Sequence, residues 1–277
     1  MLQVATGIGT YSNISPNIVM PGTNVTTTNY TDASALSPLT GAASDNASDP
    51  VYASGNLNGA NGGSGFGAWV SSPSGNTATA GWFVGSSTNN GFLPSGGIDD
   101  GGKSWGAYAN SNATASAVRP FASGNLVTGQ TFSVNMDNGW VEAGDSVGFD
   151  LQNSSGQTLL EISYVGFNAA SSYGSTDGTG PHSLGVPYTD GGVHVEITLT
   201  SATTYSATMT PVGGSTVSFS GTLINPAGGQ GISQVRLFNA NAAAGNSGSH
   251  WYAFWNNLLV SGVPNAPTRV YRVQLVP

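Results

Sequence analysis

The chain has 277 residues, with five Lys or Arg against 13 Asp or Glu and a formal net charge of −8. That balance argues against nucleic acid and anionic membrane surfaces as partners, because both are bound through clustered Lys and Arg. No cysteine is present, so disulfides, thiolate catalysis and thiolate metal sites are excluded.

Hydrophobic residues make up 38% of the chain, and ten Phe, ten Tyr and six Trp are enough for a packed core. Charged residues are only 6%, against about a quarter in an ordinary soluble domain, so Ser, Thr, Asn and Gly must keep the surface wet. Strands with few charges lack the commonest protection against edge-to-edge pairing, which makes copies of the same chain a candidate partner. The first residues show no basic segment followed by an apolar run, and no stretch reaches transmembrane length. A single lysine, Lys103, and Asn-x-Ser/Thr sites at Asn13, Asn24, Asn29, Asn46, Asn112 and Asn153 point to an extracellular or cell-surface setting.

Residues 1–63 are dominated by Asn, Thr, Ser, Ala and Gly, with short apolar groups such as Ile18, Val19 and Met20. They read as an extended N-terminal arm with no core of its own. From 64 to 262 the chain repeats short period-two runs separated by Gly, Asn, Asp and Ser clusters, which predicts an all-β domain, an antiparallel β-sandwich or jelly roll. Phe132, Val134 and Met136 share one face of TFSVNMD, and Val147, Phe149 and Leu151 share one face of SVGFDLQ. NSSGQ is a hairpin turn into TLLEISYVG. The clearest alternation is GVHVEITLT, with Val193, Val195, Ile197 and Leu199 inward and His194, Glu196 and Thr198 outward. Tyr205, Ala207 and Met209 alternate in the next run, followed by Val217 and Phe219, then Val235 and Leu237, and finally HWYAFWNNLLVSG. Residues 263–277 read as a Pro-containing linker and a detached C-terminal strand, in which Tyr271, Val273 and Leu275 form an alternating face.

The stretch running from GGIDDGGKSWGAYANS through AVRPF, GQTFSVNMDNGW, VGFDLQNSSGQTLLEISYVG, TDGGVHVEITLT and VRLFNANAA resembles secreted bacterial β-sandwich proteins. The resemblance covers about residues 64–262. It implies a concanavalin A-like jelly roll and export, and says less about activity because it rests on strands and turns. Many such proteins end in a PEP-type sorting signal; this chain ends at VQLVP, so the resemblance does not extend to anchoring by that route.

Several residues carry candidate chemistry. Glycoside hydrolysis needs two carboxylates about 5 to 10 Å apart, and the only glutamates, Glu142, Glu161 and Glu196, fall on separate segments, so no enzyme activity is expected. His182, His194 and His250 occur without a Gly-x-Ser-x-Gly elbow and read as surface histidines. Asp99, Asp100, Asp177 and Asp190 sit in Asp-Gly turns whose oxygens suit Ca2+; otherwise no cofactor is expected. Trp82, Trp251 and Trp255 lie in apolar company and read as core, whereas Trp105 and Trp140 flank turns and could stack on a sugar ring.

Two functions follow. The first is an extracellular structural protein that self-assembles into a filament or sheath by β-strand complementation, with Ile18, Val19, Met20, Tyr271, Val273 and Leu275 at the subunit interface. The alternative is a secreted carbohydrate-binding or lectin-like module that uses Trp105 and Trp140 to bind extracellular polysaccharide.

Overall fold

Alternation of apolar and polar side chains at period two drives the architecture, since each such run can bury one face and only a second sheet can cover it. The computed structural model describes residues 4–6, 9–11, 43–90, 97–122, 124–166, 171–224 and 231–262. The chain divides into two compact units, Leu36–Asn265 and Met1–Ala35 with Ala266–Pro277. In the second unit the described residues form one antiparallel pair, β1 (Val4–Thr6) and β2 (Gly9–Tyr11). Ile18, Val19, Met20, Tyr271, Val273 and Leu275, the expected interface residues, lie outside the described residues.

The larger unit contains β3 (Ala43–Asp45), β4 (Val70–Ser71), β5 (Ala80–Gly85), β6 (Ser104–Ala109), β7 (Thr114–Pro120) and β8 (Thr131–Asn138). It continues with β9 (Ser146–Gln152), β10 (Thr158–Val165), β11 (Ser172–Asp177), β12 (Gly180–Pro187) and β13 (Val193–Leu199). The last four are β14 (Thr204–Pro211), β15 (Val217–Thr222), β16 (Gln234–Ala240) and β17 (Ala253–Ser261). One sheet has the order β12-β11-β10-β9-β16-β7-β4, and the other β15-β14-β13-β8-β17-β6-β5, with β3 also paired to β17. The pairings are antiparallel, and the fold is an antiparallel β-sandwich of the jelly-roll class.

The inward faces match the period-two reading. Phe132, Val134 and Met136 from β8 and Val195 and Ile197 from β13 are fully buried, as are Phe149 and Leu151 from β9 and Val235 and Leu237 from β16. Phe132 and Phe149 meet across the two sheets with ring centroids 6.0 Å apart. NSSGQ is the expected hairpin: Asn153 N–H donates to the Gln157 carbonyl at 3.0 Å and Gly156 N–H to the Asn153 carbonyl at 3.0 Å. Val217 and Phe219 are less enclosed than predicted, because β15 is a sheet edge.

The predicted boundary at residue 63 is corrected. Residues 43–62 belong to the sandwich: β3 pairs with β17, and Ala43, Ala47, Tyr52 and Leu57 are buried in its core. A segment so poor in apolar residues is held by a charge far along the chain. Arg119 on β7 pairs with Asp45 at 2.9 Å, both side chains wholly buried, and donates to the carbonyls of Ala60 at 3.1 Å and Gly62 at 2.7 Å. The Tyr52 hydroxyl donates to Asp45 and accepts from Trp69 Nε1 at 3.1 Å. The guanidinium also stands over the Trp69 ring, 5.3 Å from its centroid.

Two predictions follow from buried charge. Removing one partner of a buried ion pair leaves the other uncompensated, so Arg119→Met is expected to cost about 3 to 5 kcal/mol in urea unfolding. Asp45→Asn combined with Arg119→Met is expected to recover part of that loss. Asp137, at the end of β8, is fully buried, and burial first, then the nearby Asp190 and Asp99 carboxylates, push its pKa up to about 8. It therefore stays protonated in the folded state while an unfolded aspartate ionises near pH ~4. The folded chain holds the extra proton between these values, so Asp137 lowers stability progressively as pH rises from about 4 to about 8. Asp137→Asn is expected to gain on the parent chain by a few kcal/mol over that window, measured by unfolding at the two pH values.

Candidate functional site

Glycine and aromatic residues alternate across the outer face of β5 and β6. Phe83 is paired with Gly106 and Gly81 with Tyr108, so each ring lies over a residue with no side chain. A Cβ on Gly106 would collide with the Phe83 ring, and one on Gly81 would approach the Tyr108 hydroxyl to 2.6 Å. Phe254, opposite Gly106 on β17, lies buried on the same face, edge-on to Phe83 with centroids 5.7 Å apart. Tyr252 closes the group at 5.1 Å from Phe83 and 6.2 Å from Tyr108. The result is an aromatic platform on the outside of the sandwich, separate from the inter-sheet core, with Tyr108 38% exposed at its rim.

The platform runs into a shallow groove of about 230 Å³ at the corner where the β6–β7 turn meets the β16–β17 loop. Tyr108, Trp251 and Tyr252 supply its rings, and Thr79, Asn110, Asn246 and Ser247 its polar rim. Hydrogen bonds fix both loops. Asn110 Nδ2 donates to the Asn246 carbonyl, while Asn110 Oδ1 accepts from the N–H groups of Ser111 and Gly245. Thr79 Oγ1 donates to the Asn110 carbonyl at 2.6 Å, and Asn112 N–H to Asn241 Oδ1 at 2.8 Å. Behind the rim, one oxygen of Glu142 accepts from Asn246 Nδ2 and Trp251 Nε1, each at 3.0 Å. The rings and amides are therefore held in place before any ligand arrives, which limits the ordering cost of binding.

Trp105 departs from the sequence reading, and Trp251 has a groove face that the reading did not give it. Trp105, expected at a turn, is the first inward position of β6 and is fully buried, packed edge-on against Tyr52 at 5.5 Å and Trp69 at 5.3 Å. It cannot serve as a stacking platform. Trp251, expected in the core, ends the short 3-10 turn Ser249–Trp251 just before β17; it packs half-buried against the core and also lines the groove. Trp140 is half-buried and outside the groove lining, its backbone N–H donating to the His250 carbonyl at 2.6 Å. Trp82 and Trp255 pack together at 5.4 Å, in keeping with a core role. Phe83, Tyr108 and Tyr252 were missed; the legible signal was the facing Gly-aromatic spacing in AGWFVG and SWGAYA.

The four aspartates are not brought together as a cage. Asp99 accepts from Ser86 Oγ at 2.6 Å, Ser87 N–H at 2.9 Å and Ser104 Oγ at 2.7 Å. Burial alone would raise its pKa, but these bonds outweigh it and hold the group below the usual carboxylate range. Asp100 accepts from Ser48 Oγ at 3.3 Å, and Asp177 accepts from Thr179 N–H at 2.8 Å and the Tyr205 hydroxyl at 3.0 Å. Asp190, in the turn before β13, lies near the buried Asp137. Among the described residues, no three His, Cys, Asp or Glu side chains gather closely enough to hold a metal ion.

The bonds of His182 and His194 are not those of a catalytic relay. His182 Nε2 meets both Thr179 Oγ1 at 2.8 Å and Asp177 Oδ1 at 3.3 Å, so hydroxyl and carboxylate share one ring nitrogen, whereas a triad needs them on opposite nitrogens. His194 Nδ1 bonds to Asn135 Oδ1 at 2.6 Å on the outward face, and His250 is exposed beside Trp251. A second depression, about 290 Å³, lies on the other sheet around Ser163, Ser172, Ser175 and His182 and has, among the described residues, no Trp, Tyr or Phe in its lining.

No family model matches the chain, and no curated protein matches it. Solved structures share a similar chain trace at low identity. A protein of unknown function from Shewanella oneidensis MR-1 is 11% identical, with 93% of this chain and 100% of that one covered and a TM-score of 0.45. A carbohydrate esterase from the Shiga toxin-encoding bacteriophage phi24B is 14% identical, covering 69% and 88%, with a TM-score of 0.44. The VIP36 exoplasmic/lumenal domain, bound to Ca2+ and mannose, is 7% identical, covering 70% and 89%, with a TM-score of 0.41. Among the described residues, no helix is long and apolar enough to cross a membrane.

Gly106→Ala tests how the platform is built. The colliding atoms are the far end of the Phe83 ring, which can swing away. The variant is expected to fold with a loss of about 1 to 2 kcal/mol and a changed near-ultraviolet circular dichroism signal as Phe83 leaves the sheet face.

Proposed function

We propose that this chain is a secreted or cell-surface carbohydrate-binding domain that holds a glycan in the groove beside Tyr108, Trp251 and Tyr252. The observation that carries this reading is the half-buried aromatic platform, with Tyr108 exposed at its edge, continuing into a rim of Asn and Ser side chains. A sugar ring offers an apolar face of C–H groups to an aromatic ring and hydroxyls to amides at its edge, and this groove supplies both kinds of surface together.

Binding without hydrolysis fits the same geometry. Glu142 stands behind the groove, and it already accepts from Asn246 and Trp251. Glu161 and Glu196 sit on β10 and β13, strands that contribute nothing to the groove, while hydrolysis takes two carboxylates across one bond. Strand exchange between copies, the other function indicated by the sequence, depends on segments outside the described residues.

Isothermal titration against a polysaccharide panel tests the proposal. Tyr108→Ala and Trp251→Ala are each expected to weaken binding by about tenfold or more, equivalent to about 1.4 kcal/mol, while Trp140→Ala leaves it within about twofold. The thermal midpoint of Tyr108→Ala is expected to move little, because the side chain lies at the surface.

A further inference from the structure

Resting on that reading, we infer that the groove selects neutral glycans and rejects acidic ones, taking one uncharged sugar ring of a longer chain. The described residues contain three permanent cations, and none reaches the groove. Lys103 precedes β6 while Tyr108 lies near its other end, five strand positions or roughly 17 Å away. Arg119 is wholly buried against Asp45. Arg236 is on β16 in the other sheet, paired with Asp150 and stacked 5.0 Å over the Phe238 ring.

The charges that do stand near the groove are negative. Glu142 lies directly behind Asn246 and Trp251, and Asp145, three residues on, accepts from Asn241 Nδ2 at 3.0 Å in the same loop. A uronate or sulfated sugar would bring an anion into this field with no guanidinium or ammonium among the described residues to receive it, and recognition of such groups depends on those partners. A neutral ring meets aromatic faces and amide edges and loses nothing to the carboxylates. The volume of about 230 Å³ lies below the range of about 300 to 1,000 Å³ that encloses drug-sized ligands, which suits one seated ring with the remainder of the chain outside. Glu142 is thus a positioning residue for Asn246 and Trp251 and the source of charge selection.

The test compares a neutral glucan, mannan and galactan with C6-oxidised forms of the same polymers, in which the hydroxymethyl group has become a carboxylate. Affinities are measured by titration at about 20 mM and about 300 mM salt, where the screening length falls from roughly 20 Å to under 10 Å. A neutral polymer is expected to bind equally at both salts, and its oxidised form at least tenfold more weakly at low salt, with a smaller gap at high salt. Glu142→Gln is expected to narrow the neutral-to-oxidised ratio, whatever it does to absolute affinity. Equal or tighter binding of the oxidised form by the parent chain overturns charge selection and leaves the carbohydrate reading standing. A ratio unmoved by Glu142→Gln overturns the role of Glu142. Failure to bind any polymer of either set overturns the carbohydrate reading as well.

Discussion

The buried pair between Arg119 and Asp45 is the contact on which the rest of the molecule depends. It fastens residues 43–62, a segment with few apolar side chains, against β7 and completes the aromatic cluster of Tyr52, Trp69 and Trp105. Isolated charges are costly in an interior, so the pair persists because carbonyls and a tyrosine hydroxyl complete its hydrogen bonding. The same cluster anchors β6 through Trp105. Three positions along β6 the alternation turns Tyr108 to the opposite face, where the groove begins.

Charge economy therefore has a spatial meaning. A chain with five basic residues places one wholly inside the sandwich and binds another to Asp150 across neighbouring strands. What is left for the outer face near β5, β6 and β17 is aromatic, amide and hydroxyl chemistry with carboxylates behind it. Glycine opposite each outward ring lets Phe83 and Tyr108 lie over the sheet instead of projecting from it, and the neighbouring loops are already braced. Low charge, first read as permission for strand edges to pair, also describes a surface suited to an uncharged ligand.

The sandwich was legible because burial imposes a period of two on residues such as Val193, Val195, Ile197 and Leu199, and the Asn153–Gln157 turn announces itself by composition. What escaped the sequence was held by long-range contacts. Nothing local to residues 43–62 reveals that Arg119 awaits them, 57 positions from Gly62. Trp105 was misplaced and the groove face of Trp251 missed for a related reason. A glycine-rich neighbourhood made Trp105 look like part of a turn although it already had strand phase, and apolar neighbours showed the core contact of Trp251 but not that a 3-10 turn also brings it to the groove. The groove itself joins β6 to the β16–β17 loop, more than a hundred residues apart, and only the local Gly-aromatic spacing of its platform was visible beforehand.

The most direct measurement is an amide and indole chemical-shift titration of the assigned protein with a neutral oligosaccharide. Ligand-induced changes are predicted to concentrate at Tyr108, Asn110, Asn246 and the Trp251 indole N–H, spreading weakly to Phe83 and leaving the Trp105 indole unmoved. Changes centred instead on Ser163, Ser175 and His182 of the opposite sheet, or a spectrum indifferent to every neutral sugar offered, would contradict the account.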